Sequence, residues 1–174
     1  MRRLSLNARQ AQDAQGSGQI HVALFEISHP SLDAPIRLST DNTERLSDEP
    51  RMYGTRSSWR GANPLTEPYH WVVASALLPS DLEDAPSSAA IVLEDLDGEM
   101  ARLMRSFGDM AFVRMADVLA SSPNEIEAEW SDMTIQSSSM SSGEVTLALG
   151  REEIEQELFP SPRMSRTRFP GLHL

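Results

Sequence analysis

The chain has no cysteine, and all fifteen of its bases are arginine, so lysine is absent too. Without cysteine there is no disulfide framework, zinc–thiolate site, thiol nucleophile or iron–sulfur cluster. Long hydrophobic runs are missing as well. The segment 72–78 is broken by Ser75, and Ala89 to Leu93 runs straight into acids. Both fall far short of the roughly 20 residues a spanning helix needs, so no membrane insertion is expected. The opening Met1-Arg2-Arg3-Leu4-Ser5-Leu6 is basic, but no apolar stretch follows it. No export signal is therefore expected, and the whole chain reads as the mature protein. Aromatic residues make up only 6% and apolar residues 40% of the 174 positions. That is enough for one thin core, so some apolar surface is expected to be covered by neighbouring subunits.

Charge is abundant but unevenly placed. The formal net charge is −11, from 26 acids and 15 bases. Residues 1–10 hold Arg2, Arg3 and Arg9, and residues 160–174 hold Arg163, Arg166 and Arg168, with no acid in either end. The body between them is therefore strongly acidic, which argues against a protein that coats nucleic acid. Basic ends on an acidic body suggest arms that dock on an acidic surface of a like subunit or partner.

The hydropathy pattern predicts a mainly β, α+β domain of about seven strands. Residues 1–19 read as an N-terminal arm, whose stretch 7–19 is either a short helix or a polar arm ending at Gly16-Ser17-Gly18. The domain proper is expected over 20–158. Ile20 to Ile27 reads as a strand apolar on both faces, and Pro35 to Leu38 as a shorter partner. Residues 40–68 read as a long polar excursion with one hairpin, anchored by Met52-Tyr53 and Trp59. Tyr69 to Leu77 reads as one long strand with Tyr69, Trp71, Val73 and Leu77 on a common face. An acidic loop, Pro79 to Pro86, and a strand over Ala89 to Leu96 follow. Met100, Leu103, Met104 and Phe107 then fall at helical spacing after Asp97, which predicts an amphipathic helix near 97–107. Strands are expected over Met110 to Leu119 and Glu125 to Trp130, the latter extended by Met133 and Ile135. In it Glu125, Glu127 and Glu129 alternate with Ile126, Ala128 and Trp130, so the acids are expected to face solvent or a channel. A serine turn, Ser137 to Ser142, leads into a last strand carrying Val145, Leu147 and Leu149. Glu152 to Leu158 reads as a terminal helical turn.

Catalytic patterns are missing. His21, His29, His70 and His173 are scattered without metal-ligand spacing. Glu94 to Glu99 fails as a calcium loop, because Leu93 and Met104 would occupy ligand positions. There is no Gly-x-Ser-x-Gly elbow and no phosphate-binding glycine loop. No enzyme activity and no cofactor or metal are expected.

The C-terminal stretch 158–172 carries two Phe-Pro pairs, Phe159-Pro160 and Phe169-Pro170, separated by arginines and hydroxyl residues. Proline fixes its own φ and disfavours helix in the residue before it, so 159–174 reads as an extended strap. Together with the N-terminal arm it supplies the candidate subunit-interface residues: Arg2, Arg3, Phe159, Pro160, Arg163, Arg166, Arg168, Phe169 and Pro170.

Several segments occur in an order that resembles a family of small phage minor tail proteins. They are Leu24-Phe25-Glu26-Ile27-Ser28-His29-Pro30, Ala34-Pro35-Ile36-Arg37-Leu38, Val92-Leu93-Glu94-Asp95-Leu96-Asp97-Gly98-Glu99, Glu127-Ala128-Glu129-Trp130, Glu157-Leu158-Phe159-Pro160 and Arg168-Phe169-Pro170-Gly171-Leu172. The chain is also similar to the N-terminal hub domain of the lambda-type minor tail protein L family, without its cysteine-rich metal-binding end. The resemblance implies a tail-tube-like β-barrel or sandwich packed with one helix. It also implies a structural virion protein of the tail tip, made in the host cytoplasm and acting as a distal-tail or hub component. The implied partners are copies of itself in a trimeric or hexameric ring, the tail tube protein and other tip proteins. DNA would pass only transiently through the lumen, and Glu125, Glu127 and Glu129 are candidate lumen-facing acids that would repel it. The competing classes are a tail-tip cell-wall hydrolase and a tail assembly chaperone.

Overall fold

A computed structural model describes residues 5–77, 88–94, 102, 110–141 and 143–150. The helix expected near 97–107, the acidic loop, the terminal helical turn and the Phe-Pro strap lie largely or wholly outside these residues.

The described chain is mainly β. One helix, α1 (Leu6–Asp13), precedes ten strands: β1 (His21–Ser28), β2 (Ile36–Ser39), β3 (Glu44–Asp48), β4 (Arg51–Thr55), β5 (Tyr69–Trp71), β6 (Ala74–Leu77), β7 (Ser88–Glu94), β8 (Phe112–Leu119), β9 (Ser122–Ser141) and β10 (Glu144–Gly150). They form one mixed sheet in the order β3-β4-β5-β2-β1-β8-β9-β10-β7-β6. Only β2–β5 pairs in parallel.

The sheet curls into a half-barrel, and the chain segment 69–77 explains how. Its first part pairs with β2 and β4, and the Val72 N–H still donates to Ser39 O at 2.9 Å. Its second part pairs with β7, beginning where the Glu94 N–H donates to Val73 O at 2.9 Å. One stretch thus touches both arms of the curl. The single strand expected over Tyr69 to Leu77 is accordingly two, because β2 ends at Ser39 and the chain changes partner between Val72 and Val73. The common face fails with it: Tyr69 is buried, while Trp71 and Val73 are exposed.

Strict alternation along β1 and β8 feeds two cores. Phe25 and Ile27 pair with Met115 and Val113 and face the inside of the curl. Ile91, Leu93, Met133, Val145, Leu147 and Leu149 meet them there from β7, β9 and β10. Val22 and Leu24 pair with Val118 and Ala116 and face the opposite side, where Trp59, Ala62 and Tyr69 cover them. This is why β1 is apolar on both faces. Burying either set stabilises the fold by roughly 25 cal/mol per Å² of apolar surface removed from water.

The excursion 40–68 contains the expected hairpin, β3–β4. Its fit against β5 requires Gly54: a Cβ there would lie 1.9 Å from the Tyr69 carbonyl oxygen. One other expectation changes. The serine stretch 137–141 is not a turn but the end of β9, paired with β10, and the reversal falls at Gly143 with φ 85°. A register shift between Ala148 and Leu149 adds one residue to β9 there. β7 and β8 run antiparallel to each other, with β10 and β9 between them, so the segments around 89–119 form no βαβ crossover.

Candidate functional site

Arg2, Arg3, Phe159, Pro160, Arg163, Arg166, Arg168, Phe169 and Pro170 all lie outside the described residues. The three candidate lumen acids are described, and they do not form one exposed row. Glu125 is exposed. Glu129 accepts the Trp59 indole N–H at 3.0 Å. Glu127 is buried, 1% exposed. The expected alternation fails at Glu127 because the register of β9 on β8 shifts there, Ala128 opposing Asp117 and Ile126 opposing Val118 with Glu127 as the extra residue, and Ser5 then covers its carboxylate.

Helix α1 is held chiefly by this carboxylate. Ser5 caps the helix, its Oγ accepting the Ala8 N–H at 3.1 Å. The same hydroxyl donates to Glu127 Oε1, and the Ser5 N–H donates to Oε2 at 2.7 Å. Both carboxylate oxygens are thereby satisfied, which is what lets an acid stay buried. Of the helix itself only Ala8 is fully buried, and Leu6 is 76% exposed. Glu127→Ala should therefore release α1 while leaving the sheet intact, at about 1.5–3 kcal/mol for hydrogen bonds to a charged group. Hydrogen exchange would show it as lost protection over Leu6–Asp13 with unchanged protection in β1 and β8. Equal loss everywhere would refute it.

A denser cluster lies on the outer side of the curl, centred on Glu26 in the middle of β1. The register sets Arg37 of β2 and Arg114 of β8 directly beside it. Arg60, from the 3-10 turn Trp59–Gly61, adds a third guanidinium. Glu26 is 6% exposed at the side chain. Its Oε2 lies 3.5 Å from Arg37 Nε, and its Oε1 lies 3.5 Å from both Arg60 Nε and Arg114 Nη1. Arg37 Nη1 also reaches Glu67 at 3.3 Å, and Arg114 donates to Ser28 Oγ at 3.3 Å. Arg60 holds a left-handed backbone, φ 57°, a conformation that costs a non-glycine residue roughly 1–2 kcal/mol. Its ion pair with Glu26 offsets part of that cost.

The loop 56–68 is thus fastened across the sheet by polar contacts at both ends. Ser57 Oγ donates to Pro123 O at 2.6 Å, and Ser58 donates from N and Oγ to Asn124 Oδ1 at 2.8 and 3.0 Å. Tyr69 OH donates to Trp59 O at 2.9 Å beneath them, with the two rings 5.8 Å apart. Burial, aided by the negative Glu26, pushes the Tyr69 phenol up to about 12 against an ordinary 10.0, while Arg37 and Arg60 pull the other way.

The raised value makes the neutral phenol the form the fold prefers. Its stabilising share is complete below pH 10.0 and is lost as pH climbs through about 12. Two pH units correspond to about 3 kcal/mol. Urea unfolding at stepped alkaline pH should therefore show stability falling across that window, and Tyr69→Phe should flatten the fall. An unchanged slope in the variant would assign the loss to other groups.

Chemically the cluster is an ion-pair clamp: it holds a loop and a curled sheet in one arrangement. Among the described residues no group of three His, Asp or Glu side chains is placed to hold a metal ion. No helix among them is long and apolar enough to cross a membrane.

No protein-family model matches the chain, and no curated protein does.

Sequence reasoning did not single out the Glu26 cluster. The available signal was one acid inside an apolar strand, flanked in two other strands by mid-strand arginines. A buried charge demands a partner.

Proposed function

We propose that the chain is a structural, non-enzymatic subunit of the tail tip of a long-tailed phage or gene transfer particle. It acts as a distal-tail or hub component, forming a trimeric or hexameric ring between the tail tube and the other tip proteins and letting DNA pass. The observation that carries this reading is the curled, mainly β sheet with a core inside its curl and a second on its outer side, which suits the fold that the family-like segments imply. An acidic body suits a subunit beside a DNA path, because like charge keeps the passing polymer from adhering.

Mass spectrometry of purified particles tests the reading. The protein should be present in finished particles at a fixed copy number of three or six, and loss of its gene should give particles without a complete tip. Absence from finished particles, with tails still dependent on the gene, would instead make it an assembly chaperone. Truncation after Leu158 tests the strap. The shortened chain should remain folded but fail to form rings.

A further inference from the structure

Strand β9 is longer than the strand beside it, and the surplus is an edge that no described residue pairs. On one side it pairs with β10 through to Ser141. On the other it pairs with β8 only as far as Thr134, with one more bond from the Ile135 N–H to Ala111 O at 3.0 Å. From 136 to 141, no described residue pairs with that second edge. Gln136, Ser137, Ser138, Ser139 and Ser141 are exposed, and Met140 is half-buried against the inner core.

An open edge normally carries a device against pairing with other chains: lysine or another charge, proline, or a twist that turns it away. The described outer strand β3 has one, with Glu44, Arg45 and Asp48 along five residues. The β9 edge has neither charge nor proline. From Thr134 to Gly143 no residue is charged, in a chain whose net charge is −11. Two copies repel over most of their surfaces, and here they approach with least electrostatic cost. A run of serines is also self-complementary, since cross-strand hydroxyl pairs stabilise an antiparallel ladder.

We infer that residues 136–140 of β9 pair antiparallel with the same residues of a second copy, about a two-fold axis at Ser138, joining two curled sheets edge to edge. The occupant is this chain itself, because neutrality and self-complementarity favour an identical strand over a charged one. The register of β9 on β10 puts Ser137 and Ser139 on the face away from the inner core, opposite Ala148 and Thr146. The inference stands on the backbone of β9 and not on the tail-tip reading. A ring closes through head-to-tail contacts, so a two-fold contact adds to a ring rather than building it.

The test is sedimentation velocity on the full chain over a concentration series, with hydrogen exchange at both ends of the series. The expected result is a reversible dimer, with the amides of 136–140 protected only where dimer is populated. Ser137→Lys/Ser139→Lys places four ammonium groups around the axis and should weaken dimerisation by at least about tenfold. Gln12→Lys/Gln15→Lys, two exposed positions near α1, changes net charge equally and should leave the dimer intact. Three results would overturn the inference: a chain that stays monomeric throughout, amides 136–140 protected in the monomer because the chain covers its own edge, or a dimer indifferent to the β9 lysines. None of these bears on particle composition, so the two proposals fail separately.

Discussion

Glu26→Gln should cost the fold about 3–5 kcal/mol, the range found when one partner of a buried ion pair is removed. The substitution keeps size and shape, so the loss reports charge. Three guanidinium groups would remain around the site, with Arg37 only 10% exposed at its side chain. Glu67, itself 46% exposed, is the other acid that reaches Arg37. Domains of this size are stable by only about 5–15 kcal/mol, so the variant should be near its limit at 37 °C. Urea unfolding measures the loss. Adding Arg37→Met to the variant should recover part of it, because the uncompensated cation goes with it and the two changes couple. A loss below about 1 kcal/mol would mean that water already solvates the cluster as it does a surface pair.

The same residue shows where the sequence was readable. The two-sided apolar character of 20–27 predicted a strand covered on both faces, and β1 is one, because period two alone decides which side chain enters which core. What the pattern did not disclose was Glu26's company. Arg37, Arg60 and Arg114 lie 11 to 88 positions away, and only the register of β2 and β8 and the fold of the 59–61 turn bring them to one carboxylate. The break at Val72–Val73 was hidden for a related reason. Alternation continues across it, and the change of partner depends on where β2 and β7 end. Ser137 to Ser142 was misread because serine is a common turn former, whereas here the hairpin register and Gly143 set the reversal. Glu127 looked like a solvent-facing acid because its neighbours alternate. Its burial comes from Ser5, over a hundred residues earlier. Local periodicity thus gave elements, while long-range register gave the polar clusters.

Trp59→Ala should be nearly as damaging, at about 3–5 kcal/mol for a large aromatic removed from a core. Trp59 is 4% exposed and is the largest side chain over Val22, Leu24 and Val118. Its deletion should do more than leave a cavity, because the same residue carries three ties. Its N–H donates to Ser57 Oγ at 3.1 Å, its carbonyl accepts from Tyr69, and its indole donates to Glu129. Arg60 is the next residue, so a loosened turn also withdraws one cation from Glu26. Two variants separate these effects. Trp59→Phe keeps an aromatic ring and loses the indole bond, and should cost about 1–3 kcal/mol. Trp59→Ala combined with Glu26→Gln should cost clearly less than the sum of the two alone, since each already frees Arg60 from its partner. Strict additivity in that cycle would show that the apolar core under the loop and the ion cluster beside it are independent, and that the loop 56–68 is not one clamp but two.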